Sequence, residues 1–327
     1  MIAMIMILMM SKFEITVRFF YKNDEKNDLE TVYYFTTNLL EEMMYVPEFV
    51  ALYEIVPFVI LALDNESIRV AVKDYLEGGE TRNAIIKKYG KIEDWNTTNV
   101  TDMNNLFCSY MQFNEDISNW DTSKVTNMEV MFMGAESFNQ SIGKWNTSSV
   151  TNMKCMFYCA ESFNQPIGEW DVSSVEDMQG MFSDTTNFNQ PLNSWNVSKV
   201  KNMWGMFYKA LNFNQPLDNW DTSSVTNMES MFDGCCQSMS FNQNINSWDV
   251  SKVTNFREMF QRATVFNHPL DKWDVSSVED MQGMFSGATN FNQPLNSWNT
   301  SNVTNMLGMF YGAESFIDAL IDGVFKK

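Results

Sequence analysis

The chain has 327 residues, 45% hydrophobic and 14% aromatic, with 41 acidic against 22 basic side chains and a formal net charge of -19. That composition supplies a buried core and argues against a disordered polymer, while the acidity repels phosphate backbones and anionic lipid surfaces and so sets nucleic acid aside as a partner. The 5 cysteines follow no repeating spacing and stand beside 26 methionines, which fits a reducing compartment, no disulfide framework and no zinc-ligand set.

Residues 1–10 form an apolar run too short to span a bilayer, with no basic stretch before it and no small-residue cleavage pattern after it. The reading is neither signal peptide nor anchor, hence no membrane span and an intracellular location. Residues 12–21 alternate partly and are rich in β-branched and aromatic types, which predicts a strand followed by a charged turn. Residues 29–63 carry Pro47 and Pro57 and have a periodicity that selects neither helix nor strand, so 1–63 is an N-terminal region of open fold.

A helical cap is predicted over residues 64–91. Asp64 or Asn65 caps a first helix whose face is Ile68, Ala71, Val72, Tyr75 and Leu76, and Gly78-Gly79 ends it. Thr81 caps a second, with Ala84, Ile85, Ile86 and Tyr89 on its apolar side and Gly90 at its end.

From residue 92 to 327 one frame repeats. It returns at Trp95, Trp120, Trp145, Trp170, Trp195, Trp220, Trp248, Trp273 and Trp298, every 25 residues except for one 28-residue step with an insertion near Cys235 to Ser240. A fixed period of this length marks a solenoid, here of nine coils whose stability is a nearest-neighbour property. In the second coil Val125, Met128, Met131, Phe132, Ala135, Phe138 and Ile142 are the apolar positions. Their spacing predicts one short α- or 3₁₀-helical turn over 126–132, and the segment 142–147 is the candidate for one short parallel strand per coil, giving an α/β repeat solenoid. The frame fails after Phe316, and Leu320, Ile321, Val324 and Phe325 suit an amphipathic lid over the last core slice.

The frame reads Trp-Asp/Asn-Val/Thr-Ser-x-Val-x-x-Met-x-x-Met-Phe-x-Gly-Ala-x-x-Phe-Asn-Gln-Pro-Leu, almost unbroken from Trp170 to Leu192 and from Trp273 to Leu295. It resembles the BspA-type leucine-rich repeat family. The resemblance implies a leucine-rich-repeat-like solenoid and, for surface members, adhesion to host proteins; it does not by itself fix a function.

The residue after each Trp is Asp or Asn (Asn96, Asp121, Asn146 and so on), and four of the nine are Asn, which favours Asx turns over a calcium ladder. The Asn of each Phe-Asn pair (Asn114, Asn139, Asn164) suits a stacked amide ladder. His268, the one histidine, replaces a repeat Gln; no nucleophile, acid-base pair or phosphate loop is present, so the chain reads as non-enzymatic and without cofactor or metal. Cys235 falls in the Ala column and is expected to be buried. Sequons at Asn96, Asn99, Asn146, Asn196, Asn299 and Asn302 arise from the frame and matter only on export.

Function in a solenoid lives where residues vary within a kept frame. After the Met column stand Glu129, Lys154, Gln179, Trp204, Glu229, Arg257, Gln282 and Leu307, with Trp204 the one aromatic; after the Phe column Tyr158, Tyr208 and Tyr311 add aromatic surface. Trp204, Tyr208 and Tyr158 are the candidate protein-binding residues, Tyr208 lying four residues from Trp204 and on its side if that turn is helical. The reading is a protein-binding repeat scaffold with a partner of unknown identity, and its rival is a secreted or surface adhesin of the same fold.

Overall fold

In a computed structural model, residues 4–11, 14–22, 29–37 and 61–316 are described. The expectations for Pro47 and Pro57 and for the lid beyond Phe316 lie outside them. The chain divides into two compact units, one of residues 1–100 with 119–121 and one of residues 101–118 with 122–327.

In the first unit, β1 (Met4–Ser11), β2 (Glu14–Lys22) and β3 (Leu29–Thr37) form an antiparallel sheet in that order. The register of β1 on β2 runs from Met4↔Tyr21 to Ser11↔Glu14, and β2 on β3 shifts register between Phe19 and Phe20. The apolar run at the start of the chain is thus mostly a strand.

Helix α1 (Asn65–Glu77) is started by a reciprocal cap: Ser67 N–H donates to Asp64 Oδ1 at 2.8 Å and Asp64 N–H donates to Ser67 Oγ at 2.8 Å. It buries Ile68, Ala71, Val72 and Tyr75. Helix α2 (Gly79–Tyr89) buries Ile85 and Tyr89 but leaves Ala84 exposed. Gly78, not Thr81, stands at its N-terminus, because a φ of 84° there reverses the chain sharply and brings Thr81 inside the first turn, where its hydroxyl donates to Gly78 O. Tyr75 meets Trp95 edge-on at 5.6 Å, and Trp95 stacks on Trp120 at 5.9 Å.

The second unit is a repeat solenoid, with one correction to the expected coil. Between residues 101 and 313 neither a helix nor a strand forms; the segment 126–138 is a chain of tight turns. Its N–H groups alternate in direction. Those of Met128, Val130, Phe132 and Gly134 donate to the carbonyls of Asn152, Lys154, Met156 and Tyr158 in the next coil, at 2.7–3.0 Å. Those of Met131, Met133 and Ala135 donate three residues back, to Met128, Val130 and Phe132. The alternation requires a left-handed residue every fourth position, Val130 at φ 49° and Gly134 at φ 70° in this coil. A continuous α-helix would bond only to itself; the alternating turn satisfies the backbone while stitching coil to coil.

The predicted strand at 142–147 is also replaced by turns, with Trp145 N–H on Ile142 O and Val150 N–H on Thr147 O. Parallel pairing survives as single bridges, one per coil, along Asp102, Asn127, Asn152, Asp177, Asn202, Asn227, Asn255, Asp280 and Asn305.

The predicted apolar positions form the core. Phe132 lies 4.0 Å from Phe138 and 5.6 Å from Phe157 of the next coil, and Phe138 lies 5.9 Å from Phe163, so two columns of rings stack side by side. From Trp120 to Trp298 each frame Trp closes the seam with an indole N–H on the preceding coil, Trp170 Nε1 to Ile142 O at 3.1 Å for example. Outside the core, Asn139 N–H donates to Asn114 Oδ1 at 2.9 Å and Asn164 N–H to Asn139 Oδ1 at 3.0 Å, an amide ladder. His268 keeps the place of Gln in it, its Nε2 3.1 Å from Asn242 O. The Asx after Trp makes its turn: Asn146 Oδ1 accepts from Ser148 N–H at 3.1 Å.

Candidate protein-binding groove

The bridging Asx of each coil sets the surface. Its side-chain oxygen accepts the N–H two residues on, as Asn202 Oδ1 accepts from Trp204 N–H at 3.1 Å, and so fixes where the variable residue leaves the backbone. Three positions per coil then matter: the variable residue, the left-handed residue that follows it, and a residue three further on. Over five neighbouring coils these three columns enclose a groove of about 330 Å³.

The floor is the left-handed column, Cys155, Gly180, Gly205 and Ser230 in successive coils, with Glu258 at one end. Gly180 (φ 58°) and Gly205 (φ 56°) occupy the middle of it, so the floor there carries no side chain. Trp204 and Glu229 form one wall, and Tyr158, Ser183 and Tyr208 the other. The structure therefore brings Trp204, Tyr208 and Tyr158 to one concavity; Trp204 is 39% exposed and Tyr158 36% exposed, while Tyr208 is half-buried. Tyr311, 79% exposed, does not line it. Trp204 and Tyr208 share the groove although the turn between them is not helical, because Gly205 in the left-handed region folds the chain back within the same four residues.

Charged neighbours hold the walls in place. Lys209 Nζ lies 4.9 Å from the centre of the Tyr208 ring and 3.4 Å from Asp184. Burial, helped by a hydrogen bond with Cys235, pushes the Tyr208 hydroxyl up to about 12. Burial also raises the Cys155 thiol and takes Cys159 up to about 11, so both are protonated and poorly nucleophilic at neutral pH.

Beside the groove, Asp233 is 2% exposed and accepts from Cys235 N–H and from Gln261 Nε2 at 3.2 Å. Burial pushes its carboxyl up to about 6. Cys235 itself is half-exposed with φ 56°, the conformation Asp184 and Lys209 hold in their coils, so the insertion moves it out of the buried Ala column where sequence placed it. Among the described residues no group of three His, Cys, Asp or Glu side chains could hold a metal ion, and no helix is long and apolar enough to cross a membrane.

Sequence reasoning missed Ser183 and Ser230, which look like ordinary frame residues, and passed over the two groove glycines. The recurring Gly three residues after the bridging Asx (Gly180, Gly205, Gly283, Gly308) was the available signal for a left-handed floor.

The repeats decide the family. Residues 81–183, 141–240 and 236–323 match the model described as Mycoplasma protein of unknown function, DUF285. The chain belongs to this DUF285 family. The match takes in the second helix as well as the array, so the DUF285 repeat begins before the first Trp. No curated protein and no solved structure matches the chain.

Proposed function

We propose that the protein is a non-enzymatic repeat scaffold that binds another protein on a lateral face of the solenoid, through the groove of Trp204, Tyr208 and Tyr158. One observation carries the reading: an array that stacks most of its aromatic rings inside presents these three at the walls of a single concavity, where a Trp anchor suits a binding hot spot. Burial raises the thiol of Cys155, the one cysteine of the lining, and nothing in that lining pairs a nucleophile with a base.

The resemblance to BspA-type repeats supports a second reading, a secreted or surface adhesin using the same groove against host proteins. Affinity capture from lysate and from the extracellular fraction, with wild type, Trp204→Ser and Lys124→Ser as baits, tests both; Lys124 is an exposed residue outside the groove lining. A saturable partner retained by wild type and Lys124→Ser and lost by Trp204→Ser is the expected result, and the fraction that supplies it selects scaffold or adhesin. Equal capture by all three baits would remove the groove from the account.

A further inference from the structure

Eight polar residues are buried among the described part of the chain, and six of them are satisfied through their side chains: Thr97, Thr122, Thr147, Thr185 and Thr222 donate to backbone carbonyls, and Asp233 accepts from Cys235 and Gln261. The other two are Ser183, 4% exposed, and Ser230, 7% exposed. Neither hydroxyl has a hydrogen-bond partner among the described residues, and both line the groove. A buried hydroxyl without a partner is costly, and two at one site point to a ligand that supplies hydrogen bonds.

The remaining lining states the charge of that ligand. Two carboxylates, Glu229 and Glu258, line the groove and no Lys or Arg does. Arg257, outside the lining, lies 3.9 Å from Glu229 and 3.4 Å from Glu258, and Asn255 Nδ2 donates to Glu229 at 2.8 Å, which leaves one cation against two anions. Among the described residues no ring contact joins Tyr158, Trp204 and Tyr208, in contrast to the core columns, so their faces are not spent on one another. Lys209 already sits over Tyr208 at 4.9 Å, which shows a cation accepted by an aromatic face at this site.

A flat cation with several donors answers all three features. A quaternary ammonium would satisfy the rings and leave the serines unpaired; a lysine would offer a point charge without a stacking face. We propose that the groove receives an arginine side chain of a basic partner protein, its guanidinium stacked on Trp204 and directed at Glu229, with Ser183 and Ser230 accepting its remaining N–H groups. The proposal rests on the protein-binding reading above and names the chemistry of the partner.

The test is a fluorescence-polarisation titration of a labelled Gly/Ser peptide carrying one arginine, beside the same peptide carrying citrulline, the neutral isostere. The arginine peptide should bind saturably and at least about tenfold more tightly than the citrulline peptide. Trp204→Ser, which leaves the net charge unchanged, should weaken it by about tenfold, Glu229→Gln should narrow the gap between the two peptides, and Lys124→Ser should change nothing. Equal binding of the two peptides to the wild-type chain, a comparison that needs no variant to fold, would overturn the inference. So would full retention by Trp204→Ser, which would assign the binding to diffuse attraction by an acidic surface. A partner captured through Trp204 but with no arginine preference removes only the guanidinium; no partner and no peptide removes the scaffold reading as well.

Discussion

At the scale of single residues, the left-handed column explains both strain and opening. Val130 holds φ 49°, a conformation that crowds a β-branched side chain, whereas Gly180 and Gly205 hold nearly the same angle without cost. Val130→Gly should therefore raise stability by about 1 kcal/mol, and Gly180→Val, whose Cβ would come 3.0 Å from Cys155 Sγ, should lower it by about 2 kcal/mol or more, both read from urea unfolding midpoints. Asp233 gives a pH signature. Its folded pKa, about 6, lies above its ordinary value of 3.8, so the unfolded chain gives up this proton more easily and ionisation favours unfolding. The contribution is complete below pH 4, fades as pH rises from about 4 to 6 and stays lost above. Asp233→Asn should remove that slope and be the more stable form at pH 7, by up to about 3 kcal/mol. A wild-type and variant difference that stays flat from pH 4 to 7 would contradict the assignment. Asp171, Asp249 and Asp274 act oppositely: bonds from Ser173, Ser251 and Ser276 hold their carboxyls below the usual range, so their support falls away only as pH drops below 4.

At the scale of the coil, the core was legible in sequence and the backbone that carries it was not. Met128, Met131, Phe132 and Ala135 have the 3 and 4 spacing of a helical face, and all four are buried. A run of turns with a left-handed residue at every fourth position produces the same spacing, because it too turns a side chain inward every three or four residues. Periodicity reports which side chains are inside and does not report where N–H groups point; the glycines at the fourth positions carried that information. For the groove, Trp204 stood out as the lone aromatic of a variable column, whereas the burial of Ser183 and Ser230 is created by the coils on either side and leaves no local trace. The coil account also predicts unequal losses along the ring columns. Phe157 stacks on Phe132, Phe163 and Phe182 at 5.6, 4.0 and 5.7 Å, while Phe310 in the last described coil is half-buried against Phe285 and Phe316. Phe157→Ala should cost about 3–5 kcal/mol and Phe310→Ala clearly less, by thermal and urea unfolding. Equal losses would mean that the array melts without regard to stacking.

For the whole molecule, the array is a scaffold in which each coil repeats the same inside and varies three outward columns. In the proposed function that variation is what a partner reads, and here five adjacent coils place aromatic walls, a bare glycine floor, two carboxylates and two unanswered hydroxyls together. None of these groups belongs to one coil alone, so the surface exists only because the coils stack. Of the 10 tryptophans, nine stand in the repeat frame, eight of them buried and Trp298 of the last coil half-buried, and Trp204 is the one in a variable column with its ring at the groove. That contrast makes acrylamide quenching of tryptophan emission, with and without the captured partner, the most direct measurement of the central claim. A quencher-accessible component that Trp204→Ser removes, and that the partner shields in the wild-type chain, is the predicted result; an accessible component that persists unchanged when the partner is bound would place recognition elsewhere on the molecule.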